Sequence, residues 1–166
     1  MPIVNNVTRF LDSQKIPYTA YELPVEKLGA TETARLLNVE PASVFKTIVV
    51  IRDKPTSPPK GKKPLLVVIP GPSQVDLKLL AAAVGEKKVY LPTEREAEQL
   101  TGLQAGGISP LALINKGFQV VIDSSAQNFS AIHISGGQRG VNIKLSVSDL
   151  VKITNARFAF VCTNLK

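Results

Sequence analysis

The 166-residue chain has one cysteine, one histidine and no tryptophan, and aromatic residues make up only 5% of it. A single cysteine, Cys162, excludes an intramolecular disulfide and any zinc or iron–sulfur site built from several thiolates. It is expected to be a buried small hydrophobe in a reducing compartment. A single histidine, His133, excludes the H-E-x-x-H motif of metalloenzymes. The sequence therefore gives no support to metal catalysis.

Other motifs and long apolar runs are missing as well. The chain contains no G-x-S-x-G nucleophile elbow, no Walker A sequence and no G-x-G-x-x-G dinucleotide motif. No apolar run approaches the roughly 20 residues that span a bilayer, and polar residues interrupt the first eleven positions. We expect neither membrane association nor a secretory signal. The prediction is a cytoplasmic protein with one domain over residues 1–166, since roughly 150 residues per domain is typical.

Positive charge is concentrated in one short segment. Lysine and arginine total 20 against 13 acidic residues, a net charge of +7. Residues 52–63 (RDKPTSPPKGKK) hold five basic residues and one aspartate, and so contribute +4 of that excess. Prolines remove backbone donors and predict a basic loop over residues 53–64. Two interpretations remain open: a solvated connection between strands, or a surface that attracts the phosphates of a polyanion.

Apolar periodicity and capping signals predict interleaved helices and strands. Helices are expected over residues 3–15, 31–38, 76–84, 93–100 and 148–153, with Thr31, Asp76, Thr93 and Ser148 as caps. Strands are expected over residues 18–23, 45–51, 65–69, 89–91, 118–122, 131–135, 141–145 and 158–161. The second and third of these strands are nearly all apolar, which is typical of the centre of a sheet. The pattern predicts a single compact α/β (α+β) domain whose mixed, mostly antiparallel central sheet is surrounded by helices.

Residues 131–135 and 141–145 are predicted to be the arms of a β-hairpin around the turn sequence GGQR. If Ser135 pairs with Gly140, the apolar residues of both arms share one face. His133 then lies directly opposite Asn142 on the other face. We therefore expect these two polar side chains to be neighbours.

Two features could carry chemistry without an enzymic nucleophile. Lys46 is the one charge in an apolar strand, where a lysine either reaches the surface or holds its ammonium at a cleft to bind an anion. Residues 105–110 (AGGISP) contain paired glycines, which let the backbone approach a ligand and direct N–H groups at a developing oxyanion. A glycine-rich stretch is more often only a turn, so each feature alone leaves both interpretations open.

Four motifs in this order resemble one family along nearly the whole chain. They are VFKTIVV at 44–50, TGLQAGGISP at 101–110, DSSAQNF at 123–129 and ISGGQRGVNIKL at 134–145. Together they resemble the YbaK-type aminoacyl-tRNA deacylases, which are free-standing relatives of the editing domain in bacterial prolyl-tRNA synthetases. The resemblance implies hydrolysis of mischarged tRNA, most typically cysteine on the proline tRNA, by a monomer without metal or other cofactor. It implies the tRNA's terminal adenosine as the bound element and prolyl-tRNA synthetase as a second candidate partner.

The resemblance also assigns roles to residues. The family's strand lysine corresponds to Lys46, which would contact the terminal adenosine or its phosphate. The amides of its glycine loop would hold the ester. The expected catalytic residues are Lys46, Gly106, Gly107 and Ser109, and the expected substrate-binding residues are Tyr21, Ile108, Pro110, His133 and Asn142.

The sequence departs from the family pattern in the hairpin. Many YbaK-like members have an aspartate where this chain has Asn142, and often a tyrosine where it has His133. Asparagine donates and accepts hydrogen bonds without charge, whereas a carboxylate only accepts. One interpretation is a retuned amino-acid pocket, in which His133 could be a general base for water and a substrate such as alanine. The other is neutral drift on a solvent-facing hairpin.

The predicted chemistry is cleavage of an ester that is already activated, so positioning and oxyanion stabilisation can supply much of the rate enhancement. In family members that act on cysteine, the substrate's own thiol is thought to attack the carbonyl and release a cyclic product. The first expectation is a deacylase of Cys-tRNA(Pro). The alternatives are an Ala-tRNA(Pro)-type or other aminoacyl-tRNA hydrolase, and a non-catalytic module that binds tRNA or the synthetase, which the basic loop would also suit.

Overall fold

The computed structural model describes residues 3–53 and 63–164, and this part of the chain contains five short helices and nine strands. The helices are α1 (Asn6–Ser13), α2 (Ala30–Leu37), α3 (Leu77–Val84), α4 (Glu94–Thr101) and α5 (Val147–Thr154). The strands are β1 (Tyr18–Glu22), β2 (Phe45–Val50), β3 (Leu65–Pro70), β4 (Ser73–Val75), β5 (Gln119–Asp123), β6 (Ala131–Ser135), β7 (Val141–Ser146), β8 (Arg157–Ala159) and β9 (Cys162–Asn164). None of the helices in the described ranges is long and apolar enough to cross a bilayer. Most of the predicted basic loop, residues 54–62, lies outside the described residues.

The strands form two sheets and a short ribbon. One sheet has the order β1-β7-β6 and is antiparallel throughout. The other has the order β2-β3-β5-β8, in which β2 is antiparallel to β3 while β5 and β8 run parallel to it. β4 and β9 form the antiparallel ribbon. An isolated parallel bridge between Val44 and His133 joins the two sheets, so the start of β2 lies beside β6. The predicted mixed, mostly antiparallel α+β architecture is confirmed.

β3 is buried on both faces, as its apolar sequence predicts. Leu66 and Val68 pack into a cluster with the hairpin of β6 and β7, and Val67 and Ile69 pack into a second cluster with α3. The expectation that β2 also lies at the centre of its sheet is wrong. It pairs with β3 on one side only, and its other edge borders a cleft.

Two helices begin at the predicted capping residues, and α3 ends at residue 84 as expected. The Asp76 carboxylate accepts hydrogen bonds from the backbone N–H groups of residues 78 and 79 and begins α3. Thr93 and Glu96 form a reciprocal capping box at the start of α4. Gly85 ends α3 with a left-handed conformation, φ 74°, which glycine adopts without steric penalty.

Two other predicted caps are wrong. α2 begins one residue earlier than expected, after Gly29, so Thr31 lies inside its first turn and caps nothing. α5 is capped by Ser146, whose hydroxyl oxygen accepts a hydrogen bond from the Asp149 N–H at 3.0 Å, rather than by Ser148. The reason is that β7 extends to Ser146 and the chain passes directly from strand to helix.

The two serines provide a matched test of this cap. Ser146→Ala removes the hydrogen bond and is expected to lower the free energy of unfolding by about 1 kcal/mol. Ser148→Ala makes the same chemical change on an exposed residue and is expected to change stability by less than about 0.5 kcal/mol. Urea denaturation of both variants measures the difference, and equal losses would contradict the assignment of the cap.

The β6–β7 hairpin forms, but its register differs by two residues from the prediction. Ser135 pairs with Asn142, and His133 pairs with Lys144. The turn holds five residues, 136–140, and its closing bond runs from the Gly136 N–H to the Val141 carbonyl at 2.9 Å. A shift of two residues leaves every side chain on its predicted face. The isoleucines of both arms therefore pack together in the core, fully buried.

Candidate functional site

A cleft of about 600 Å³ lies along the free edge of β2. Its walls come from the segment after β1, from β2, from the start of α4, from the glycine-rich loop and from the beginning of β7. The fold thus brings together four residues that the sequence predicted as site residues from distant positions: Lys46, Gly106, Ile108 and Asn142 all line this cleft.

Lys46 supplies a cation from the β2 wall. It lies opposite Ile69 of β3 and is half-buried. Its ammonium makes no hydrogen bond or ion pair with any residue that the structure describes. Burial lowers the pKa of Lys46, while the electrostatic interaction with Cys162 raises it. An ammonium with unused donors at a cleft is suited to binding phosphate or ribose oxygens.

The glycine-rich loop places alternate residues in and behind the cleft wall. Gly106 is exposed, has a left-handed φ of 89°, and lies against the Arg139 side chain and the Lys27 backbone. Gly107 is buried, and its N–H donates to the Gln104 carbonyl at 2.8 Å. The Gly107 amide is therefore already bonded within the loop.

Ser109 and Pro110 also lie behind the wall. Ser109 is fully buried, and its hydroxyl oxygen accepts a hydrogen bond from the Leu111 N–H at 3.2 Å. Pro110 begins the 3₁₀ turn that follows. Neither residue lines the cleft, so in this structure both shape the loop rather than contact the space where a ligand would bind.

His133 and Asn142 are neighbours, as the hairpin pattern predicts. His133 Nδ1 and Asn142 Oδ1 are 2.9 Å apart, and the two residues are only 3% and 5% exposed. The interpretation of a solvent-facing hairpin is therefore wrong. The Tyr21 ring lies 5.5 Å from the imidazole, centroid to centroid. Only Asn142 of these three lines the cleft.

Burial disfavours the charged form of the imidazole. Desolvation lowers the pKa of His133, the hydrogen bond with Asn142 raises it, and the positive charge of Lys144 lowers it. A neutral imidazole carries one N–H. Because Asn142 Oδ1 can only accept, that N–H is on Nδ1.

Two sets of interacting side chains were not predicted. Lys27 and Glu94, which both line the cleft, form an ion pair although they are 67 residues apart in sequence. No local pattern signals such a pair.

On the α3 face of the sheet, the buried Asp123 carboxylate accepts hydrogen bonds from the Val161 N–H at 2.9 Å and the Ser125 N–H at 3.1 Å. Burial and the hydrogen bond with Asp123 raise the pKa of the half-buried Cys162 to about 11, so its thiol stays protonated near neutral pH. Within the described ranges, no group of three or more His, Cys, Asp or Glu side chains could hold a metal ion.

Comparison with known proteins places this cleft in context. A model of the aminoacyl-tRNA editing domain matches residues 26–153. The chain is 36% identical over 160 residues to EbsC of Enterococcus faecalis, named as a candidate Cys-tRNA(Pro)/Cys-tRNA(Cys) deacylase, with 95% of this chain and 93% of the relative covered.

Two solved structures share the fold. The hypothetical protein APE2540 superposes with a TM-score of 0.83 at 23% identity, covering 96% of this chain and all of that one. A candidate trans-editing enzyme for prolyl-tRNA synthetase superposes with a TM-score of 0.77 at 20% identity, covering 98% of this chain and all of the other.

Proposed function

The chain belongs to the aminoacyl-tRNA editing domain family and is an aminoacyl-tRNA deacylase, and we propose that it acts in trans on cysteine attached to the proline tRNA. The observation that carries the proposal is the cleft at the β2 edge, where Lys46, the Gly106 backbone and Asn142 surround one space. The relative that is named as a deacylase of Cys-tRNA(Pro) and Cys-tRNA(Cys) supports cysteine as the amino acid.

In the proposed arrangement, the terminal adenosine binds on the Lys46 side and the ester carbonyl lies against the glycine-rich loop. The substrate's own sulfur attacks the carbonyl carbon. A C–S bond forms, the C–O bond to the ribose breaks, and the thiol proton passes to the ribose oxygen. Hydrolysis of the cyclic product follows in water. This route needs no enzymic nucleophile.

The geometry favours cysteine over an alanine substrate. An alanyl ester has no thiol, so its cleavage needs a water molecule and a general base. His133 does not line the cleft, so its imidazole is not in position to activate a water molecule there. The Cys162 thiol also lies outside the cleft lining and is held in its protonated form.

Deacylation of the proline tRNA charged separately with cysteine, serine, alanine and proline tests this function. Serine is the matched control, since it replaces the thiol with a hydroxyl at nearly the same size. We expect the cysteinyl ester to be cleaved at least about 100-fold faster than the seryl ester, because the weaker nucleophile cannot replace the thiol.

Equal rates for cysteine and serine would contradict attack by the substrate's sulfur. Faster release of alanine would show that the pocket is tuned to a non-thiol substrate. Binding of every tRNA without turnover would identify a binding module. Addition of prolyl-tRNA synthetase to the same assay tests the proposed second partner, which is expected to raise the rate at low tRNA concentration if it delivers the substrate.

A further inference from the structure

A hydrogen bond to His133, which does not line the cleft, sets the orientation of the Asn142 side chain. Its Oδ1 accepts a hydrogen bond from His133 Nδ1 at 2.9 Å, so its Nδ2 points away from the imidazole. Nδ2 makes no hydrogen bond within the described part of the chain. The one buried side-chain polar atom left without a partner among the described residues is Arg52 Nε. Asn142 Nδ2 is therefore not enclosed, and the space that Asn142 borders is the cleft.

The imidazole is suited to holding the Asn142 amide because its protonation is disfavoured and its ring is packed against a neighbouring strand. Burial disfavours its protonation, and the ring packs against Tyr21 of β1, which pairs with Asn142 in the sheet. The charged and titratable groups that face it are Tyr21 and Lys144. Nδ1–H donates to Asn142 Oδ1, which leaves the amide NH₂ as the group offered to the cleft.

Two candidate donors of the glycine-rich loop are not directed into the cleft. The Gly107 amide is bonded to Gln104, and the Ser109 hydroxyl is buried behind the wall.

The hairpin turn is bonded to the glycine-rich loop, since Arg139 Nε donates to the Ala105 carbonyl at 2.6 Å. This contact holds the start of β7, with Asn142, in one wall with Gly106 and Ile108.

Resting on the proposed function, we propose that Asn142 is a catalytic residue whose Nδ2–H donates to the ester carbonyl oxygen as that oxygen becomes an oxyanion, and that His133 is its positioning residue. When the nucleophile adds to the carbonyl carbon, the π electron pair moves onto the oxygen. On collapse the pair returns, and the C–O bond to the ribose breaks. The ribose oxygen takes the proton that the nucleophile releases. Asn142 gives up no proton at any stage.

The aspartate that many YbaK-like members have at position 142 could not perform this step, so the proposed role belongs to a chain with asparagine there. It would accept hydrogen bonds but donate none, and its charge would repel the oxyanion. Asn142→Asp therefore tests, at nearly constant side-chain size, whether the site needs a hydrogen-bond donor or an acceptor. If the residue instead binds a substrate ammonium, the aspartate variant gains activity.

Steady-state deacylation of Cys-tRNA(Pro) by four variants and one control variant tests the inference. Asn142→Ala is expected to lower kcat by about 10²–10³-fold, as loss of one oxyanion donor does, with KM changed by less than about threefold because the contact forms in the transition state. Asn142→Asp is expected to lose at least as much. His133→Phe keeps a ring but frees the amide, and is expected to lower kcat about tenfold. His133→Gln restores an N–H donor and is expected to recover most of that loss. Asn128→Asp, the same change on an exposed residue outside the cleft, is the control and is expected to match the wild type.

The outcomes are distinguishable. Absence of turnover by the wild type overturns the proposed function and this inference with it. Turnover by the wild type with unchanged kcat in Asn142→Ala, or with wild-type or higher kcat in Asn142→Asp, overturns the catalytic role of Asn142 alone. Equal kcat in His133→Phe and His133→Gln overturns the positioning role of His133, because a purely structural ring is replaced better by phenylalanine.

Discussion

Replacing Lys46 with methionine is expected to remove most of the deacylase activity and to leave the protein at least as stable as the wild type at neutral pH. Methionine keeps the unbranched stem and discards the charge. Loss of a charge-assisted contact to a phosphate or ribose oxygen is expected to lower kcat/KM by about 10²-fold. A buried residue that serves only packing cannot show this combination, because its loss of activity would follow its loss of stability.

The stability half of the prediction follows from the pKa of Lys46. Burial lowers this pKa below its ordinary value of 10.5, so the folded protein binds the proton less tightly than the unfolded chain does. The charged lysine therefore opposes folding at pH values below its lowered pKa. This destabilisation decreases as pH rises through the lowered pKa towards the ordinary value, because the folded protein then loses the proton. The stability advantage of Lys46→Met is thus expected at pH 7 and should shrink in the alkaline range.

Thermal denaturation at pH 7 and pH 10 measures the change in stability, and deacylation kinetics at pH 7 measure the change in activity. Lys116→Met removes an exposed lysine outside the cleft and is expected to keep wild-type activity. Full activity in Lys46→Met would show that its ammonium does not contact the substrate. A clear loss of stability at pH 7 would show that the charge has a partner in the folded state.

The fold was predictable wherever the signal was local. The capping residues Asp76 and Thr93 and the apolar strand β3 are specified by short patterns whose physical meaning does not depend on the rest of the chain. The failed cap at Ser148 has a tertiary cause. Ser146 and Ser148 are equally good caps by type, and the length of β7, set by pairing with β1 and β6, decides between them.

The position of β2 was not predictable from its composition. Its run of β-branched residues resembles that of β3, but one of its edges is left free for the cleft. The lone charge of Lys46 was the only local sign that this strand differs.

The site was predictable in its residues more than in its geometry. The alternation of apolar residues in the hairpin arms predicted that His133 lies beside Asn142. The two-residue error in register did not change the face on which they lie, because side chains alternate with a period of two. Alternation does not show how deeply a pair of residues is buried. The burial of these two residues depends on the strands beside them, because β1 pairs with β7 and the start of β2 bridges to β6. Similarly, the sequence of the loop could not show that Gly107 and Ser109 face away from the cleft, since that depends on the hairpin turn packed against it.

The contact between this loop and the hairpin turn gives the second large prediction, that Gly107→Ala loses both stability and activity. A Cβ atom at position 107 would lie 2.7 Å from Gln138 Cα, 2.9 Å from Gln138 C and 3.0 Å from Arg139 N. All three are backbone atoms, which cannot rotate away as a flexible side chain could. The turn must therefore move away from the loop. Overpacking of this kind is expected to lower the free energy of unfolding by about 1–3 kcal/mol.

The activity of Gly107→Ala should fall further than its stability explains, because the displaced turn leads directly into β7 and carries Asn142 with it. A shift of about 1 Å in a positioned group can lower the rate by about 10²-fold, measured as kcat/KM under conditions where the variant is fully folded. Gly85→Ala is the control for the steric clash. It adds a Cβ at a left-handed position, with no atom within 4 Å, and lies outside the cleft. It is expected to lose about 1 kcal/mol from backbone strain and no activity. If folded Gly107→Ala retains wild-type kcat/KM, then the loop does not set the position of the hairpin wall, and Asn142 must be placed by its pairing with β1 and β6 alone.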